Sequence, residues 1–210
     1  MPDTLHAYQH VRGIYFPVAI GVFALVLVSL VVLLVRGARR TRPAGGRSEA
    51  LAFEVAYATL LAGVVAVLLW VTFTAETPID RTVSDPALRI RVAAAQWSWR
   101  FEYPSGLTVL AVSTWHPPAA LVPTGVEIEF TGTSKDVIHG FWVPRLHFQR
   151  QFLPGYVTRF DLRFDNPGFY GGECSVFCGE QHSQMHFEIQ AVSPAVFRRW
   201  LAERSSGAIS

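Results

Sequence analysis

Charge is scarce in this chain. Of its 210 residues only 16% are charged and 50% are hydrophobic, a balance that excludes a globally disordered polymer, which needs the reverse composition. Lysine is almost absent. One of the 18 basic residues is Lys135 and the others are Arg, interspersed with 16 acids for a formal net charge of +2. No broad polycation results, so nucleic acid is not an expected partner. There are only two cysteines, Cys174 and Cys178. That number excludes a disulfide-rich scaffold, and their proximity points to local chemistry. No Cys-x-x-Cys-His occurs, so no c-type haem is attached to this chain. Internal repeats and low-complexity segments are missing as well.

Long apolar runs are what the chain has in place of charge. Mean hydropathy is +0.28, high for a water-soluble domain. The excess is concentrated in two places. Ile14 to Val35 is 22 residues without a charge, roughly 33 Å as a helix and enough to cross a bilayer core. A second uncharged run, Val55 to Ala75, lies between Glu54 and Glu76. Neither shows the amphipathic period of a helix half-buried in a soluble protein. The first is too long for the apolar core of a signal peptide and lacks a small-x-small cleavage pattern after it, so it reads as a retained span. The intervening loop, residues 36–50, carries Arg36, Arg39, Arg40, Arg42 and Arg47, which places it in the cytoplasm by the positive-inside rule. Residues 1–80 are therefore expected to form a transmembrane hairpin, with spans of about 14–35 and 55–75. Lipid surrounds the hairpin in a bacterial-type plasma membrane, and the N-terminus and the C-terminal domain face the periplasmic side.

From residue 81 to 210 the pattern changes to short segments with period-two alternation, broken by Pro and Gly. Leu88–Val92, Val126–Phe130, Phe160–Phe164 and Phe187–Ala191 each predict a strand with one apolar face. Seven or more such strands with long connections predict an all-β Greek-key sandwich or barrel. Ser193 as N-cap and Pro194 at the first helical position predict a final helix, with Phe197, Trp200 and Leu201 on one face.

The stretch from Gly172 to Met185 contains Cys174, Cys178, His182 and Met185, and an isolated His139 lies upstream. Thiolate and thioether are soft ligands that favour copper, whereas a structural zinc site uses Cys and His without Met. A mononuclear blue-copper site takes one Cys, and this chain has two. Two thiolates on one loop can bridge two copper ions, with a His terminating each side and the weak positions left to Met185 and a backbone carbonyl. Such a centre suits one-electron transfer better than bond making. The competing reading of the two thiols is a periplasmic disulfide.

On these residues the chain resembles subunit II of the haem-copper cytochrome c oxidases, in which a transmembrane hairpin precedes a cupredoxin-like domain holding the binuclear copper-A centre. The family pattern, an upstream His followed by Cys-x-x-x-Cys-x-x-x-His-x-x-Met, is met by His139, Cys174, Cys178, His182 and Met185. The resemblance implies that Val176 supplies a carbonyl ligand. Val176 stands where the family has Glu, so the carboxylate for a magnesium ion at the interface with subunit I is missing, and Glu173 and His186 replace a common Gln and Pro. The segment Gln96 to Tyr103 is similar to the family's aromatic segment, which makes Trp97 the point at which electrons arrive from cytochrome c. The alternative is that Trp97 only packs a β core. Glu54, in Phe53-Glu-Val-Ala-Tyr57, is similar to the residue at the entrance of the family's proton path, or else it is an interfacial carboxylate at a helix N-terminus.

The resemblance implies an electron-transfer role: single electrons pass from cytochrome c to copper-A and on to haem in subunit I, where oxygen is reduced and protons are translocated. From Thr74 onward there are 13 acids and 12 bases, so bulk charge offers a basic donor little steering, and a fused or membrane-bound cytochrome is the alternative donor. Asp136, Glu127 and Glu129 could form a local acidic patch. The rival readings are the copper-A subunit of a membrane nitric oxide reductase and a copper chaperone of thioredoxin fold.

Overall fold

The computed structural model describes residues 4–38, 51–76, 82–112 and 116–205. Most of the expected cytoplasmic loop, residues 39–50, and the expected domain boundary near residue 80 lie outside the described residues. The chain divides into two compact units, a helical one over His6–Pro78 and a β one containing Ile79–Ser210.

The helical unit consists of α1 (Thr4–Ala38) and α2 (Leu51–Glu76). Their apolar windows, Ala7–Val32 and Glu54–Ala75, are long enough to cross a membrane, and neither is buried within the protein. Phe23 is 68% exposed and Trp70 is 70% exposed. Apolar surface on this scale belongs in hydrocarbon and not in water. The Tyr15 hydroxyl donates to the Leu68 carbonyl at 2.9 Å and also meets the Thr72 hydroxyl. A polar group so placed joins the first half of α1 to the second half of α2, as an antiparallel hairpin requires, and it is satisfied without water.

The β unit runs β1 (Leu88–Ala95), β2 (Ser98–Glu102), β3 (Thr108–Val112), β4 (Ala119–Pro123), β5 (Glu127–Ser134), β6 (His139–Val143), β7 (Phe148–Phe152), β8 (Thr158–Arg163), β9 (Gly168–Cys174), β10 (His186–Val192) and α3 (Pro194–Ser205). Alternation explains these strands. In β5, Ile128, Phe130, Gly132 and Ser134 face in while Glu127, Glu129, Thr131 and Thr133 face out. Two five-stranded sheets result, ordered β3-β2-β1-β5-β8 and β4-β10-β9-β6-β7. The chain changes sheet repeatedly, which makes β1 parallel to β5 and β4 parallel to β10, while the other pairs are antiparallel. This is a Greek-key sandwich. With no α-helix between β1 and α3 among the described residues, the fold rules out the thioredoxin architecture and the chaperone that would have used it. At the C-terminus the Val196 N–H donates to Ser193 Oγ, so the N-cap read from the sequence forms.

Trp99, Phe101, Phe130, Phe141, Phe152, Phe160, Phe164 and Phe187 are all less than 2% exposed and fill the space between the sheets. Phe141 stacks on Phe187 at a centroid distance of 4.4 Å, and each such pair adds about 0.5–1.5 kcal/mol beyond its burial. The acids read as a possible patch are separated by the fold. Glu127 and Glu129 lie along the outer face of β5 beside Arg163 and Arg89, whereas Asp136 follows the other end of that strand and faces His139.

Candidate metal centre

Strands β6, β9 and β10 are neighbours in one sheet, and their ends bring the sulfur and nitrogen donors together. His139 opens β6 and is fully buried, on the same inward side as Phe141 and Val143. Cys174 ends β9, its position fixed by its N–H donating to the Met185 carbonyl at 3.1 Å. The Ser175 N–H then donates to the Gly140 carbonyl at 3.0 Å. After Cys178 the chain turns at Gly179, and a short 3-10 helix over His182–Gln184 delivers Met185 to the head of β10. Gly140 leaves room for this loop: a Cβ there would stand 2.2 Å from Ser175 Oγ.

Five side chains and one carbonyl converge. The Cys174 and Cys178 sulfurs are 3.6 Å apart, and both are free thiols rather than a disulfide. His139 Nδ1 lies 3.8 Å from the Cys174 sulfur and His182 Nδ1 lies 3.6 Å from the Cys178 sulfur. The Val176 carbonyl oxygen is 3.2 Å from Cys174, and the Met185 sulfur is 3.7 Å from Cys178. The ligand atoms of His139, Cys174 and Cys178 all lie within 4.8 Å of one another, close enough to hold one metal ion.

The electrostatics favour a cation. Burial opposes ionisation of Cys174, yet hydrogen bonding with His139, with the Gly140 and Val176 backbone and with His182 brings it down to about 6. Burial and the neighbouring charge of Cys174 push Cys178 up to about 12. One negative charge is thus held readily, and a second only beside positive charge, as a thiolate-bound metal supplies. Two thiols, a thioether and two imidazoles make a soft donor set that fits copper.

Asp136 is the residue that sequence reasoning missed as part of the centre. Its Oδ1 accepts from His139 Nε2–H at 2.9 Å and from the Val137 N–H at 2.7 Å. The first bond fixes the imidazole tautomer and leaves Nδ1 facing Cys174. Burial raises the Asp136 pKa, but these bonds and the one from the Gln96 N–H outweigh it and hold the pKa below the usual value. For His139, burial lowers the pKa and is outweighed by Cys174 and Asp136. The spacing Asp136-x-x-His139 was the available signal. Asp136→Ala is expected to weaken copper(I) binding by about 10–100-fold, measured by competition with a chromophoric chelator, while Asp136→Asn, which keeps an acceptor oxygen, loses less.

Trp97 lies half-buried in the turn between β1 and β2, while Trp99, Phe101 and Tyr103 of the same segment are buried in the core. Glu54 is exposed in the first turn of α2. It belongs to the helical unit and not to this cluster. His186 pairs across the strands with Glu173, their side chains 3.6 Å apart, so the two departures from the family pattern meet each other.

The family model for the periplasmic domain of cytochrome c oxidase subunit II matches residues 88–192, half of the chain. The probable cytochrome c oxidase subunit 2 of Nocardia farcinica is 27% identical over 73% of this chain, and cytochrome c oxidase subunit 2 of Kluyveromyces lactis is 32% identical over 60%. The chain spans 58% of the length of each of these relatives. Among solved structures, the periplasmic domain of subunit II of cytochrome oxidase from Bradyrhizobium japonicum superposes with a TM-score of 0.56 at 24% identity, covering 60% of this chain and 99% of that one. That likeness establishes the cupredoxin-like fold of the β unit. With the family model matched over β1 to β10 and two apolar helices ahead of it, the chain belongs to the cytochrome c oxidase subunit II family.

Proposed function

We propose that the chain is the copper-A subunit of a haem-copper terminal oxidase, held in the plasma membrane by its two helices with the β unit on the outer side. The observation that carries this reading is the convergence of Cys174, Cys178, His139, His182, Met185 and the Val176 carbonyl at one end of the sandwich. Two copper ions bound by these groups supply a one-electron redox couple.

The remaining work belongs to the protein. Cys174 and Cys178 provide the two negative charges. Asp136 orients His139, and the sheet behind Phe141 and Phe187 keeps the donors in place so that little rearranges when charge changes. Burial of His139, Cys174, Cys178 and Met185 excludes water from one side of the site. Trp97, half-buried beside the donor loop, is the point at which electrons arrive from cytochrome c, and they leave towards haem in subunit I. Glu54 marks the entrance of a proton path shared with that subunit. Val176 offers no carboxylate to a magnesium ion at the interface.

Copper titration of the full chain in detergent tests the assignment. Two ions per chain are expected, with an electron paramagnetic resonance spectrum whose hyperfine pattern reports both nuclei. Saturation at one ion would overturn the binuclear reading.

A further inference from the structure

The β1–β2 turn is tied to both halves of the donor set through one residue, by its side chain on one side and its backbone on the other. Gln96 Nε2–H donates to the Cys178 carbonyl at 2.8 Å. The Gln96 backbone N–H donates to Asp136 Oδ2 at 2.7 Å, and the other oxygen of that carboxylate accepts from His139. Gln96 itself is exposed. Burial of apolar surface therefore does not account for where it lies; its hydrogen bonds do.

Trp97, the next residue, rests on the donor loop. A Cβ on Gly179 would stand 3.1 Å from Trp97 Cζ2, 3.3 Å from Trp97 Nε1 and 3.0 Å from Gln96 Nε2. Gly179 also has φ +120°, a conformation that side chains disfavour. Contact and backbone both call for glycine at the residue that follows Cys178. The indole Nε1 is buried and has no hydrogen-bond partner among the described residues. No polar bond from the ring fixes its position; its packing on the core and on Gly179, and the turn beneath it, do.

We propose that Gln96 is a positioning residue for electron arrival: it clamps the Trp97 turn to the Cys178 peptide and, through Asp136, to His139, and so holds the indole in contact with Gly179. The inference rests on the reading of Trp97 as the arrival point. In the transfer one electron leaves the reduced donor and one reaches the oxidised centre, with no bond made or broken. Its rate depends on contact along the path, here indole to Gly179 to the Cys178 peptide and sulfur. An exposed amide has no other evident reason to satisfy a carbonyl of the donor loop.

Gln96→Met tests the clamp, because it keeps side-chain length and removes the donor. The full chain is labelled with 5-fluorotryptophan, and the Trp97 resonance is identified by its loss in Trp97→Phe. In Gln96→Met, copper content and the electron paramagnetic resonance spectrum are expected to stay as in the parent, while the Trp97 fluorine resonance shifts or broadens. Reduction by reduced soluble cytochrome c slows about tenfold or more, on the scale that a ~1 Å misplacement imposes on a geometry-dependent step. Reduction by dithionite, which needs no docking, stays unchanged. A parent-like Trp97 resonance in Gln96→Met, or an equal slowing with both reductants, overturns the clamp. If Trp97→Phe is reduced by cytochrome c at the parent rate, the arrival point itself is wrong and the clamp falls with it.

Discussion

Cys174→Ser is expected to abolish the proposed binuclear copper centre, with copper content falling from two ions per chain to one or none and the visible charge-transfer absorption lost. Cys174 is the thiol with the most support. The His139 ring, the Gly140 and Val176 backbone and His182 all stabilise its charge, and a serine hydroxyl offers neither that charge nor a soft donor. The loss of turnover in an assembled oxidase should exceed the ~10–100-fold that follows from changes to groups outside the ligand set. Cys178→Ser removes the other bridge and is expected to give the same spectroscopic outcome. It leaves Cys174 ionised, so one ion can remain on His139 and Cys174. Metal analysis and absorption spectra of both variants check the result. Two coppers retained in either one would refute bridging by the pair.

Trp99→Ala is expected to be the most destabilising single change in the β unit. Trp99 is fully buried and packs edge-on against His139, Phe141, Phe152 and Phe187, at centroid distances of 6.0, 5.7, 5.9 and 5.2 Å. Its Nε1–H donates to the Met185 carbonyl at 3.3 Å, the same carbonyl that accepts from the Cys174 N–H. Truncation of a buried aromatic costs about 3–5 kcal/mol, a large part of the roughly 5–15 kcal/mol that holds a typical domain folded. Trp99→Phe retains most of the packing and loses the hydrogen bond, at a cost nearer ~1–2 kcal/mol. Thermal unfolding of the metal-free proteins should rank Trp99→Ala well below Trp99→Phe and Trp99→Phe below the parent. A Trp99→Ala midpoint within about 2 °C of the parent, well inside what a 3 kcal/mol loss produces, would show that the sandwich does not depend on this ring.

The convergence of the candidate donors was legible because it is carried by residue type and close spacing. Cys174, Cys178, His182 and Met185 fall within one turn-rich stretch, and the only distant member, His139, opens a strand whose alternation places it inward. The strands were legible for a similar reason: Val126–Phe130 and Phe187–Ala191 alternate strictly, and one face of each is buried. The bonds of Gln96 could not be read, and that of Asp136 left only its spacing from His139 as a signal. The Asp136–His139 bond is local, three positions apart, whereas the Gln96 backbone reaches Asp136, 40 positions on, through the pairing of β1 with β5. Its side chain reaches Cys178, 82 positions on, through the packing of one sheet on the other. A charge pattern reading grouped Asp136 with Glu127 and Glu129 because it sees proximity along the chain and not the length of β5 between them.

The hydrogen bond from Cys174 to Met185 has a consequence for assembly. The segment bearing Met185 leads directly into β10, the last strand made, and β10 is held between β9 and the parallel β4. A chain lacking that strand presents the two sulfurs without their closing side, so the geometry of the cluster depends on the finished sheet. Assembly of the cluster is therefore set by topology: its two ends are joined only when the closing strand is in place.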